Sequence, residues 1–222
     1  MSYLELRRQV FEANMELPAH DLVAWTSGNA SIVDRDLGVV VIKPTGIRYP
    51  ELTVESMVVL DLESGRTVDG AFKPSVDTST HLYLYRHAAD VGAVIHTHSV
   101  YATAWAATGQ AIPPCLTSIA DNFGGPVPCG DYVEIGGDAT GREVLRVRGN
   151  SPAVLMQNHG VFCAAADLTA TLRAAIMVEE VAKTVAVARM IGQPIDLPED
   201  EVERQHGFAL HQGGQSGALE HA

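Results

Sequence analysis

Cysteine, aromatic side chains and positive charge are all scarce in this chain, and each scarcity removes a class of protein. The cysteines among the 222 residues are Cys115, Cys129 and Cys163, an odd number without C-x-x-C spacing. They suggest neither a disulfide framework nor a thiolate metal cluster, and are expected to be packing residues. Lysine and arginine total 15 against 27 aspartates and glutamates, a formal net charge of -12, and the one adjacent basic pair is Arg7-Arg8. This argues against a nucleic-acid partner, because such proteins present basic patches that neutralise phosphates. No apolar stretch reaches the ~18 residues of a membrane span, and Leu4-Glu5-Leu6-Arg7-Arg8 does not open as a signal peptide. A soluble, cytoplasmic protein that does not contact membranes is expected. Internal repeats, low-complexity tracts and clear linkers are missing too, so residues 1–222 are expected to form one domain, with a glycine-rich, disordered tail from about Gly213.

What the chain does have is 46% hydrophobic residues, enough at this length for a sizeable core, and histidines at the ends of apolar runs. Val91-Gly92-Ala93-Val94-Ile95 reads as a buried strand closed by His96-Thr97-His98. Side chains two apart on a strand share a face, so His96 and His98 point the same way. Two neutral imidazoles supply half of a tetrahedral site with bonds of about 2.0 to 2.1 Å. His159 follows a second apolar run, Ala153-Val154-Leu155-Met156, and Gly160 beside it permits a sharp turn or a close backbone approach. Asp77 stands upstream as a candidate ligand, and a carboxylate or a water would complete the shell. Each of these also has a plainer reading: strand histidines bonded to backbone carbonyls, and Asp77 at the positive end of a helix capped by Thr78.

Around these residues, apolar positions 3, 6, 10, 13 and 17 have the period of an amphipathic helix. Leu22–Trp25, Ala30–Val33 and Val39–Ile42 read as antiparallel strands, and Met57–Leu62 with Arg66–Val68 as a hairpin. Lys43-Pro44-Thr45-Gly46 leaves the sheet as a loop suited to an anion. Ser99 is placed to cap a helix through Ala106, Asp138 a helix to Val147, and Asp167 a long helix to Ile191. Ala120–Gly125 has the composition of a mobile loop, Glu199-Asp200-Glu201 reads as a helix start, and His20, His81 and His87 are expected at the surface or in local hydrogen bonds.

Asn14–Pro18, Gly28-Asn29, Lys43-Pro44-Thr45-Gly46, Asp77-Thr78-Ser79-Thr80-His81, His96-Thr97-His98-Ser99, Ala102–Ala106, Ala120-Asp121, His159-Gly160 and Glu179-Glu180-Val181-Ala182 stand in an order that a known family shares. The sequence resembles the L-ribulose-5-phosphate 4-epimerases of the class II aldolase/adducin superfamily from about residue 4 to about residue 192. The resemblance implies an α/β fold, three α/β/α layers around a central, mainly antiparallel sheet, assembled as a homotetramer. It implies zinc, or another divalent ion such as manganese, held by His96, His98 and His159, with Asp77 approaching the metal before substrate binds. Gly28, Asn29, Lys43, Thr45, Gly46, Ser75 and Val76 match positions that hold a sugar phosphate, and Asp121 matches a catalytic proton donor and acceptor. The implied reaction inverts carbon 4 of L-ribulose 5-phosphate to give D-xylulose 5-phosphate by retro-aldol and aldol steps through an enediolate. An aldolase of the L-fuculose-phosphate type releases the aldehyde instead. An adducin-like, non-catalytic module is disfavoured because such domains lack the metal histidines kept here.

The chain departs from the epimerase pattern in three places. Gly213-Gly214-Gln215 stands where the family has a tyrosine before Gly-Gln, and no tyrosine follows Tyr132. His211, two residues before Gly213, is a candidate replacement for that proton donor. Val76 replaces the second serine of the phosphate site and Thr45 the serine before its glycine, and the stretch Asp131–Arg148 is shorter. Asp77 and Asp121 are epimerase features and weigh the reading towards that reaction.

Overall fold

Apolar residues on both faces of successive strands build the sheet that carries everything else. In the computed structural model, which describes residues 1–212, the strands are β1 (Asn29–Asp34), β2 (Val39–Ile42), β3 (Val58–Asp61), β4 (Thr67–Asp69), β5 (Ala93–Thr97), β6 (Cys129–Gly130), β7 (Ala153–Met156) and β8 (Gly160–Ala165). The tail from Gly213, including the position of the family tyrosine, lies outside the described residues. The spatial order is β4-β3-β2-β1-β5-β8-β7-β6, antiparallel at every pairing but the parallel β6–β7 pair.

Period-two alternation divides the core between the two faces. Ala93, Ile95, Ala153, Leu155, Val161 and Cys163 pack on one side with helices α1 (Tyr3–Ala19), α3 (Val100–Thr108), α4 (Thr117–Phe123) and α6 (Leu168–Ile191). Val94, Val154, Met156, Phe162 and Ala164 pack on the other with α2 (Thr78–His87) and α5 (Ala139–Arg148). A last helix, α7 (Glu199–Gln212), lies against α4. The result is the α/β/α layering with a mainly antiparallel sheet. Among the described residues, no helix is long and apolar enough to cross a membrane.

Asp167 caps α6 as its position suggests, its Oδ1 accepting from the Ala170 N–H at 2.8 Å. Other expectations fail for physical reasons. Leu22–Trp25 is not a strand: Asp21 and Trp25 take φ values of 57° and 59°, left-handed conformations that break an extended run. The segment around Asp121 is helix α4, because Ile119, Ala120 and Phe123 have buried partners in the core. Strand β8 has no counterpart in the sequence reading, where Gly160 marks a turn or a close backbone approach, and the close approach is present. His81 is fully buried, with 0% exposure, not at the surface.

Candidate metal centre

Strand pairing brings distant histidines to one end of the sheet. In the β5–β8 ladder His96 faces Phe162 and Thr97 faces Val161. The last residues of β5 therefore meet the β7–β8 turn, where Asn158 takes a φ of 57° and His159 follows. One ligand atom from each of His96, His98 and His159 lies within 4.8 Å of the others, and the Nε2 atoms of His96 and His98 are 2.9 Å apart. Gly160 makes the approach possible: a Cβ there would stand 2.6 Å from the Thr97 carbonyl oxygen and 3.0 Å from His98 Cδ2.

The environment sets the chemistry of these rings. His96 Nδ1 donates to the Val161 carbonyl at 2.8 Å, which leaves the Nε2 lone pair free, the usual way an outer hydrogen bond orients a ligating imidazole. Its ring stacks on Phe162, with centroids 4.2 Å apart. Burial pulls the His96 pKa down to about 3, and the pKa values of His98 and His159 are lowered by the same cause. Three neutral, converging imidazoles form a nitrogen donor set that fits a zinc-like divalent ion.

Asp77 lies at the N-cap position of α2 but does not cap it. Its Oδ2 instead accepts from Asn29 Nδ2 at 2.8 Å and from Ser75 Oγ at 3.4 Å. Burial alone would raise its pKa, but attraction to a proton on His96, His81 or His159 and the hydrogen bond from the Asn29 amide outweigh burial and lower it, so Asp77 is a carboxylate. It stands beside the histidines rather than inside the three-ligand cluster. Behind it, His81 Nδ1 lies 2.7 Å from Ser31 Oγ, which lies 2.7 Å from Tyr85 Oη. Burial brings the His81 pKa down to about 4, with Asp77 opposing. The helical spacing of 77, 81, 84 and 85 on one face of α2 was the signal for a buried His81.

The histidines open onto a cleft of about 330 Å³ lined also by Gly28, Asn29, Lys43, Thr45, Gly46, Ser75, Val76 and Asp77. Every residue that resembles the phosphate site is thus in one place. Gly28 takes a φ of 71°, and a Cβ there would meet Val23 and the His96 carbonyl. Lys43 Nζ and Tyr49 Oη hold the carbonyls of Thr26 and Ser27 at 3.1 and 2.9 Å. Burial lowers the Lys43 pKa to about 8, with Asp77 opposing. Val76 (72% exposed) and Ile135 (62%) add apolar side chains to the same cleft.

Asp121 is elsewhere. On α4, it lines a second cavity of about 330 Å³ with Asn150, Pro152, Ala165, Arg173 and His206, and its carbonyl is the acceptor nearest His206 Nδ1, at 3.3 Å. Ala165 ends β8, whereas His159 precedes its start; at about 3.3 Å per residue the two ends are on the order of 15 Å apart. His211 is exposed on α7. Cys163 is buried, and Cys115 and Cys129 are partly so.

The chain is similar to known proteins in sequence and in fold. The family described as Class II Aldolase and Adducin N-terminal domain matches residues 8–186. The L-ribulose-5-phosphate 4-epimerase UlaF of Salmonella paratyphi C (strain RKS4594) is 39% identical over 218 residues, covering 93% of this chain and 95% of that protein. A solved L-fuculose 1-phosphate aldolase superposes with a TM-score of 0.87 at 29% identity, covering 92% of this chain and 95% of the other. The YgbL structure from Escherichia coli, a putative aldolase/epimerase/decarboxylase, gives a TM-score of 0.80 at 23% identity over 92% and 99% of the two chains, a likeness of fold alone.

Proposed function

The chain belongs to the class II aldolase and adducin family and is an enzyme, and we propose that it is a cytoplasmic, divalent-metal-dependent 4-epimerase converting L-ribulose 5-phosphate to D-xylulose 5-phosphate. The observation that carries this reading is the convergence of His96, His98 and His159 at the edge of a cleft whose other wall is Gly28, Asn29, Lys43, Thr45, Gly46 and Ser75. The similarity to the Salmonella epimerase supports it.

In this reading, a zinc or manganese ion held by the three imidazoles, with Asp77 nearby, supplies Lewis-acid stabilisation of the negative charge that develops when the carbon-carbon bond breaks. The chain does the rest. Lys43 and Tyr49 donate to the carbonyls of Thr26 and Ser27, so that an anion entering the cleft meets acceptors that are already engaged. Asn29 Nδ2 and Ser75 Oγ, which now serve Asp77, are among the donors assigned to the sugar phosphate. The Asp77 carboxylate and the arriving phosphate therefore compete for them. Asp121 is assigned to proton transfer at the aldehyde oxygen. Its own chain holds it at the far end of β8, so it serves this site from a neighbouring copy, which accords with a homotetramer.

A second reading, an aldolase that releases the aldehyde, is favoured by the likeness to the L-fuculose 1-phosphate aldolase structure and by the absence of any tyrosine after Tyr132. Incubation of the zinc-loaded protein with L-ribulose 5-phosphate, followed by NMR, separates the two. D-xylulose 5-phosphate with little free aldehyde is expected; accumulation of glycolaldehyde phosphate and dihydroxyacetone would establish the aldolase instead.

A further inference from the structure

Glu179, midway along α6, reaches the N-terminus of α3. Its Oε1 accepts the Tyr101 N–H and its Oε2 the Ala102 N–H, both at 2.9 Å. The first amides of a helix have no partner within the helix. Ser99 occupies the N-cap position of α3 without bonding to it, and its hydroxyl is buried without a partner among the described residues. The capping that Ser99 does not provide comes from another element, 77 and 78 residues further along the chain. Trp105 Nε1, which donates to the Ala182 carbonyl at 3.1 Å, ties the same two helices together again.

The consequence falls on one ligand. His96 lies within β5 and is oriented by Val161, and His159 sits in a short turn between paired strands. His98 lies outside regular structure, between the end of β5 at Thr97 and the start of α3 at Val100. The one side chain at hydrogen-bonding distance from its ring, among the described residues, is His96. We propose that Glu179 is a positioning residue of the metal site: by clamping the first turn of α3 onto α6, it fixes the backbone that carries His98 and thereby the third ligand. This inference rests on the reading of the three histidines as a metal site. A glutamine in place of Glu179 keeps the shape but has one acceptor oxygen and turns an NH₂ towards an N–H donor. An aspartate keeps both oxygens on a shorter arm.

The test uses metal-free full-length protein and no sugar. Zinc affinity is measured by competition with a chromophoric chelator, and the visible spectrum is recorded after cobalt(II) loading, for the parent, Glu179→Gln and Glu179→Asp. Far-UV circular dichroism and thermal unfolding of the metal-free forms serve as the control for folding. The expected result for Glu179→Gln is zinc affinity weaker by about tenfold, the low end for loss of an outer support of a metal ligand. The cobalt spectrum changes while the metal-free protein stays folded, and Glu179→Asp lies between the two. Parent-like affinity and spectrum in Glu179→Gln overturn the proposal, as does weaker affinity with an unchanged spectrum, which marks general loosening. If Glu179→Gln does not fold, Glu179→Asp is judged by the same criteria. A parent that takes up no zinc overturns the metal assignment and this inference with it, whereas failure of the epimerase reaction leaves the measurement standing.

Discussion

Gly160 sets how closely two of the imidazoles approach the β7–β8 turn. A methyl group there meets the Thr97 carbonyl and the His98 ring, so Gly160→Ala is expected to weaken zinc binding by about tenfold or more, measured by titration of the metal-free protein. Val76 is exposed in the cleft, where the family pattern has a hydroxyl. Val76→Ser adds a donor to a charged ligand, a bond of about 1.5–3 kcal/mol, and is expected to lower the KM for the phosphorylated sugar roughly tenfold with little change in kcat. His81 makes a prediction in pH. Its folded pKa, about 4, is below the ordinary value of 6.5, so between these values the unfolded chain binds a proton that the native protein does not. Stability is therefore full above pH 6.5 and declines as pH falls towards 4. Thermal unfolding of the metal-free protein across that window is expected to show the decline, and His81→Gln to flatten its slope.

Among the elements, α1 is joined to β1 through one buried amide. Asn14 Nδ2 donates to the Val10 and Ala30 carbonyls, and its Oδ1 accepts the Ala30 N–H at 2.9 Å. Asn14→Ala leaves the buried Ala30 groups unsatisfied and is expected to cost about 2–4 kcal/mol by denaturant unfolding, at about 1–3 kcal/mol per orphaned group. The sequence also exposes why some elements are legible and others are not. Helices α1 and α6 repeat their apolar residues over many turns, and Asp167 marks where α6 starts. The His96 and His98 pair follows from alternation along β5. Strand β8 hides behind a glycine that suggests a turn or a close approach rather than the start of a strand, and α4 is a short helix held by tertiary contacts of Ile119 and Phe123 rather than by local preference. Glu179 is visible only as part of a recurring motif, because its role depends on a bond to amides 77 and 78 positions away. In Asp77 the local rule and the structure diverge: it has a capping position and a capping residue type, yet its carboxylate is committed to Asn29 and Ser75.

For the molecule as a whole, the cleft that holds the histidines and the cavity that holds Asp121 lie at opposite ends of β7 and β8. If neighbouring copies complete one another, Asp121→Asn and His98→Asn are each expected to be inactive alone. Mixing them under conditions of subunit exchange is expected to restore up to about a quarter of parental activity, the share of sites drawing an intact residue from both copies in random assembly, measured by initial rates. No recovery on mixing would place both residues' work within one chain. The same sheet also governs the protein's lifetime. The bond from His96 to the Val161 carbonyl spans 65 residues, so the ligands do not meet until β5 and β8 have closed that long loop. An ion that needs the finished ladder gives little help in crossing the folding barrier and instead holds back the reverse step. Metal loading should therefore leave the refolding rate nearly unchanged and slow unfolding, making the ion a brake on loss of the native state rather than a nucleus for reaching it.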